Sequence, residues 1–515
     1  MKKPTNILLI TTDQQHFSAL GSVNPNIDTP NLDRLCKEGT RFDRAYCPSP
    51  VCTPSRASLI SGLYPSQHGA WTIGVEVPKT VDTIGAHLTA SGYSTGLIGK
   101  AHFHPLKSGK GAESLEAQPK LRDLDFWRKF HGPWYGFEHI ELSRNHADES
   151  HVGQHYAIWL EQQGLDNWRD YFQPLPGDTS AFAPRVNHER GYWARHDRVW
   201  QLPVELHYSK WTADRSIAFL DDSVKQEKPF FLWSSFHDPH PPYTVPEPWA
   251  SKYKPEDMVP GRLVAGEHEL NPPHFAKTQE TNPDFGVWHK PFEAHGCASH
   301  LFDEQELRED MAVYYGMMSF VDEQVGRILD HLDELGIADD TAIVFTTDHG
   351  HFLGQHGLIA KGPFHYEDML KIPFIVRWPG KVPANRTSDA LQSLIDVMPS
   401  LLDIAGAEPA PHVQGVSQLD VWCGKADSAR SFVFCENRHN PNMPHLTTYI
   451  SDRYKITIYK QGEDGEIFDL LEDEYEVNNL WYKPEMEPLK QRLMYEMIQG
   501  MMASEPMKMP RVAHA

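Results

Sequence analysis

The sequence predicts an α/β fold, a large and mainly parallel sheet sandwiched by helices, followed by a smaller C-terminal α+β unit with an antiparallel sheet. Three observations predict it. Short apolar runs rich in β-branched residues alternate with helix-length stretches, the pattern of strands buried on both faces by crossover helices. Four of those runs end directly on polar residues, at Asp13-Gln14, Lys100-Ala101-His102, His237-Asp238-Pro239-His240 and Asp348-His349-Gly350. Beyond Gly406 the composition turns to Pro and Gly and then to short alternating strands. With 515 residues the chain can bury a large core and a satellite, and the expected division is 1–425 and 426–515.

Asn6–Thr12 reads as the first buried strand, ending on Asp13. A helix over 81–91 leads into a strand over 94–100, a helix over 212–222 into a strand over 229–236, and a helix over 314–335 into Thr341–Thr347; 374–378 is a fifth strand. Residues 103–211 break this rhythm and hold seven of the 14 tryptophans: Trp127, Trp134, Trp159, Trp168, Trp193, Trp200 and Trp211. They read as an insertion on the sheet's active edge. Its aromatic faces suit sugar rings or choline-like cations, although tryptophans in an irregular segment more often build its own small core. Residues 255–300, rich in Pro, Asn and His, form a second long loop region of the kind that serves as a lid or interface arm. A short helix over 396–404 ends at Gly406. Strands are expected over 431–436, 447–451, 454–460 and 466–470 with a turn at Asp464-Gly465, then a helix over 484–502. The tail, 503–515, has too little apolar content to fold alone and is a candidate contact for a second copy of the chain.

The charge balance of 48 basic against 70 acidic residues gives −22, which argues against a nucleic-acid or anionic-membrane surface. Six cysteines (Cys36, Cys47, Cys52, Cys297, Cys423, Cys435) show no paired spacing, so neither a zinc site nor a disulfide framework is expected. The chain enters its first strand six residues from Met1 and has no apolar run of transmembrane length. A cytoplasmic protein is the expectation.

In open α/β sheets ligands bind outside the carboxyl ends of the strands, so the four polar tips define one crevice. The stretch 51–62 belongs with them. Cys52-Thr53-Pro54-Ser55-Arg56 is followed by small residues closing at Gly62, which places a thiol near a helix N-terminus where anions are favoured. Cys52, Pro54, Ser55, Arg56, Ser61 and Gly62 resemble the signature of the type I sulfatases of the alkaline phosphatase superfamily. The resemblance covers nearly the whole chain, through Asn6 to Gln14, Gly99-Lys100-Ala101-His102, Asp238-Pro239-His240, Thr347-Asp348-His349-Gly350, Lys361-Gly362, Ile467-Phe468-Asp469-Leu470 and Asn478-Asn479-Leu480.

That resemblance implies an alkaline phosphatase-like fold and hydrolysis of aryl, alkyl or sugar sulfate monoesters. It implies that Cys52 is oxidised by a formylglycine-generating enzyme, the hydrated aldehyde being a nucleophile that later expels sulfate by C–O cleavage. Asp13, Gln14, Asp348 and His349, with residue 52, would hold one divalent cation; calcium is favoured, with manganese and zinc as alternatives. Arg56 would hold the hydrated aldehyde, Lys100 and Lys361 the sulfate oxygens. His102 would be the base for sulfate release, and His240, with Lys361, the acid for the leaving alcohol. The family often has Asp at the Gln14 position and Asn at the His349 position. Two rival functions remain. One is a formylglycine-dependent phosphonate monoester hydrolase or phosphodiesterase, a group that also carries Asp-Gln but has hydroxyl residues where this chain has Lys100 and His102. The other is a non-catalytic carbohydrate-binding protein, which predicts the loss of Cys52, a metal carboxylate or Lys361.

Overall fold

The computed structural model describes residues 4–109, 113–173, 198–280, 302–409, 411–438 and 444–505. Trp193, Cys297, the whole 281–300 part of the second loop region and the tail beyond 505 lie outside the described residues. The architecture is the one expected. Eight strands form one sheet in the order Arg386–Ser388, Thr40–Phe42, Phe374–Arg377, Thr341–Thr347, Asn6–Thr12, Phe230–Ser235, Ser94–Gly99, His139–Leu142. Phe374–Arg377 pairs antiparallel with both of its neighbours, while the other adjacent pairs are parallel.

Alternation along the central strand explains the sandwich. Ile7 and Leu9 enter a core shared with Ala57, Leu59 and Ile60 of the helix Cys52–Ser61, Ile84 and Leu88 of Ile84–Ala90, and Val397 and Leu401 of Val397–Ala405. Leu8 and Ile10 enter the opposite core, with Leu32 and Leu35 of Pro30–Glu38, Leu220 of Tyr208–Lys225, and Phe320 and Val325 of Glu304–Glu334. Each strand thus carries apolar side chains to both helix layers. Asp322 joins two of these helices, since its carboxylate accepts the backbone N–H groups of Asn31 and Leu32 at 3.1 and 2.7 Å. It thereby satisfies donors that the first turn of Pro30–Glu38 leaves open.

Several boundaries differ from expectation. The helix expected over 314–335 starts at Glu304, where Asp303 and Glu306 form a reciprocal capping box ahead of two largely charged turns. The segment 103–211 does more than decorate: it contributes the sheet's edge strand His139–Leu142 and the helix Gln154–Gln162. Its described tryptophans are structural. Trp159, Trp168, Trp200 and Trp211 pack with Tyr156 and Phe172 in a core of their own, and Trp127 and Trp134 join the main core.

The C-terminal strands Val433–Asn437, Leu446–Ile450, Tyr454–Tyr459 and Gly465–Asp469 form an antiparallel sheet covered by the helix Glu487–Ala503. This sheet is tied to the segments flanking Cys52. The N–H of Glu436 donates to Pro48 O at 2.8 Å, and its carboxylate accepts from Ser66 Oγ at 2.7 Å.

One glycine positions the site directly. Gly99 has φ of 106°, and a Cβ there would lie 1.9 Å from the carbonyl oxygen of Ser235, which also accepts the N–H of Lys100 at 2.9 Å. Gly99→Ala is expected to lower the unfolding free energy by about 2 kcal/mol or more and to reduce activity by displacing Lys100. Guanidinium denaturation with an unchanged slope measures the first effect.

Candidate active site and metal centre

Cys52 is the first residue of the helix Cys52–Ser61, preceded by extended Val51 and closed by left-handed Gly62 (φ 66°). Its side chain is buried, with Sγ 3.2 Å from His349 Nε2, 3.2 Å from Lys361 Nζ and 3.6 Å from Asp13 Oδ1. Burial pushes the thiol pKa up, against the pull of Lys361. Asp13, Cys52, Asp348 and His349 offer ligand atoms that all lie within 4.8 Å of one another.

The strand tips deliver these groups as expected. Asp348 Oδ1 accepts the backbone N–H groups of Gln14 and His349 at 2.9 and 3.0 Å, and Oδ2 accepts from Arg56 Nε at 2.9 Å. Burial alone would raise this carboxyl, but His349, Arg56 and Lys100 hold it well below the usual carboxylate range. His349 Nδ1 donates to Gly350 O at 2.9 Å, which leaves Nε2 as the lone-pair atom facing Cys52. Burial lowers the His349 pKa to about 3, so the ring is neutral. Gln14 donates from Nε2 to His351 Nδ1 at 2.8 Å, His351 being held in turn by Tyr243 at 2.7 Å; Gln14 Oε1 is buried with no hydrogen-bond partner. Arg56 also donates from Nη1 to Ser235 Oγ and Lys100 O at 2.9 and 3.1 Å, while Nη2 stands 3.8 Å from Asp13 Oδ2 without a hydrogen bond.

Lys100 Nζ contacts the Asp13 carboxylate and donates to His146 Nε2 at 2.6 Å. Burial pushes its pKa well below the ordinary lysine range. His146 Nδ1 then faces Glu149 at 3.1 Å, and its ring stacks on His240 with centroids 3.7 Å apart. His102, at φ 59°, accepts at Nε2 from Arg144 Nη2 at 2.8 Å. Because a guanidinium only donates, the ring proton of His102 sits on Nδ1, which has no partner. Burial, with Arg144 and Lys100 as the leading charges, holds His102 well below its ordinary pKa.

All ten residues singled out from the sequence therefore lie in one buried neighbourhood. Three others were not foreseen: Arg144, His146 and Glu149, which follow the edge strand His139–Leu142. They share the signal of the other strand tips, polar residues just past an apolar run, but this run has only two apolar residues and lies inside the tryptophan-rich stretch. His237, whose Nε2 faces Ser143 O at 2.9 Å, and Asp238, held by Ser209 Oγ at 2.7 Å and by Tyr208, brace this side.

Residues 5–407 match the family model described as Sulfatase. The chain belongs to the sulfatase family. Residues 354–503 also match the C-terminal model of N-sulphoglucosamine sulphohydrolase. This sulfatase is 29% identical over 504 residues to an arylsulfatase of Clostridium perfringens, spanning 96% of this chain and 94% of that protein. It is 30% identical over 430 residues to the multifunctional alkaline phosphatase superfamily protein PehA of Trinickia caryophylli, spanning 80% of this chain and 76% of that protein. Its fold matches phosphonate monoester hydrolase of Agrobacterium radiobacter with a TM-score of 0.75 at 24% identity, over 97% of this chain and 96% of that one.

Sulfatases use a formylglycine and a divalent metal, and the donor set of this sulfatase fits such an ion. Two carboxylates and a neutral imidazole nitrogen converge there, and the amide oxygen of Gln14, next in sequence to Asp13, is buried without a partner, which is costly.

Proposed function

We propose that this sulfatase hydrolyses sulfate monoesters of an aryl, alkyl or sugar alcohol, with residue 52 acting in its formylglycine form. The observation that carries the reading is the Cys52 side chain at a helix N-terminus, 3.2 Å from both Lys361 Nζ and His349 Nε2. Its sulfur stands in for the hydroxyl groups of the hydrated aldehyde, and a maturation enzyme must install that group. Asp13, Gln14, Asp348 and His349 would hold the cation, and two carboxylates with an amide oxygen favour calcium. When bound, the ion supplies polarisation of the nucleophilic oxygen and neutralises charge on the transferring group.

The chain's own residues supply the rest. Arg56 fixes the carboxylate of Asp348 and keeps Nη2 for residue 52. Lys100 and Lys361 place positive charge against the sulfate oxygens before the reaction begins. His240, oriented by its stack on His146, protonates the leaving alkoxide. His102 takes the proton that residue 52 gives up as sulfate leaves, which requires Arg144 to release Nε2.

A second reading, phosphonate monoester or phosphodiester hydrolysis, is supported by the likeness to the Agrobacterium radiobacter enzyme, and Gln14 fits either reading. Specificity constants for an aryl sulfate, an aryl phosphonate monoester and a bis-aryl phosphate separate the two. Sulfate is expected to lead; a tenfold preference for either phosphorus ester, about 1.4 kcal/mol, replaces the first reading with the second. His240→Ala is expected to lower kcat/KM for an alkyl sulfate by about 10²-fold or more, and for 4-nitrophenyl sulfate by under about tenfold, because a good leaving group needs little protonation. Equal losses on both esters would remove His240 from the acid role.

A further inference from the structure

Arg144 follows the edge strand His139–Leu142 and is 2% exposed. Among the described residues its hydrogen bonding is limited to Nη2 on His102 at 2.8 Å; Nε and Nη1 have no partner. Glu116 Oε1 stands 4.0 Å from Nε, and its carboxylate already accepts the N–H groups of His102 and His104 at 2.9 and 2.6 Å. Leaving buried donors unmatched is costly, and more so when the group is charged. Native structures rarely do so without a ligand, ion or water to complete them. The roles assigned above ask of Arg144 only that it release His102 Nε2. Lys100, beside Asp13 and His146, and Lys361, beside residue 52, are assigned to the sulfate being transferred and not to a second anion.

We infer that Arg144 is a specificity-determining residue that binds a second anionic group of the substrate, a carboxylate or further sulfate carried by the alcohol close to the scissile ester. The inference rests on the sulfate-ester reading above. Nη1 and the second hydrogen of Nη2 form the end-on fork that matches two oxygens of such a group, and Nε supplies a third donor. An anion that draws Nη2 away also frees Nε2 of His102 to accept a proton, so recognition and base release act through one side chain.

The test compares 4-nitrophenyl sulfate with its ortho- and meta-carboxylate derivatives, and glucosamine 6-sulfate with glucosamine 2-N,6-O-disulfate, in the mature wild-type enzyme and the variants Arg144→Met and Arg144→Lys. Wild type is expected to favour at least one dianionic probe over its monoanionic parent by tenfold or more in kcat/KM. Arg144→Met should abolish that preference, and Arg144→Lys should keep part of it, each variant retaining the wild-type unfolding midpoint to within a few degrees. A wild-type enzyme without the preference, or an Arg144→Met variant that lowers both classes by one factor, overturns the proposal. Failure of the sulfate-ester reading gives a different result, no sulfate release from any probe.

Discussion

In the Cys52→Ala variant, ester hydrolysis is expected to fall by at least about 10⁴-fold with the fold retained, the scale seen when a covalent nucleophile is removed. The substitution deletes only Sγ, at a position where that atom touches polar groups and not the apolar core: Lys361, His349 and Asp13. Packing therefore loses little. The positive groups around the vacated place have no covalent partner with which to act. In the active wild-type protein the peptide bearing residue 52 should be about 18 Da lighter than the cysteine form, the change from thiol to aldehyde. Full activity in Cys52→Ala, or full activity in protein whose residue 52 is wholly thiol by mass spectrometry, would refute the assignment.

Asp348→Asn should be nearly as damaging, with turnover down by about 10³-fold or more and bound metal reduced from about one equivalent to a small fraction. The substitution keeps size and shape but removes charge from a carboxylate that accepts from Gln14, His349 and Arg56. Its amide nitrogen would also face the guanidinium with a donor against a donor. Breaking a buried charge pair from one side costs about 3–5 kcal/mol, so the unfolding midpoint should fall as well. Elemental analysis after exhaustive chelation, paired with an activity assay, checks the metal half. A chelated, metal-free preparation that turns over at the full rate would overturn it.

How much was legible in the sequence follows from where each side chain sits on its element. Asp13, Lys100, His240 and Asp348 could be found because each follows a strand buried on both faces, and two-sided burial writes an unbroken apolar run just before the polar tip. His139–Leu142 is an edge strand, with Glu141 paired to Arg215 at 2.6 Å, so its run is short and charged and its tip was missed with it. Arg144 and His146 had only the weak signal of that two-residue apolar run. The start of the helix Glu304–Glu334 was hidden in a similar way, since its first two turns carry four acids and an arginine and little that is apolar. Hydrogen-bond direction was beyond reach altogether. Nothing in the spacing of Lys100 and His102 says that Arg144, 42 positions from His102, caps the imidazole nitrogen.

The 1% exposure of Cys52 also fixes an order of events in the life of the chain. A thiol at the start of its helix, enclosed by the strand tips, cannot be presented to another enzyme once the sheet has closed. On the formylglycine reading proposed above, its oxidation would have to happen while the 51–62 stretch is still an accessible peptide, during synthesis or before the central strands pair. Molecules that fold first would then be locked out: they would reach the native architecture, bind what the native surface binds, and never turn over. In a cell making more of this chain than its maturation enzyme can process, specific activity would then be a clock reading, the fraction of molecules oxidised before closure. Slowing translation or lowering induction would raise it, and incubating the purified, folded protein with the maturation enzyme would not.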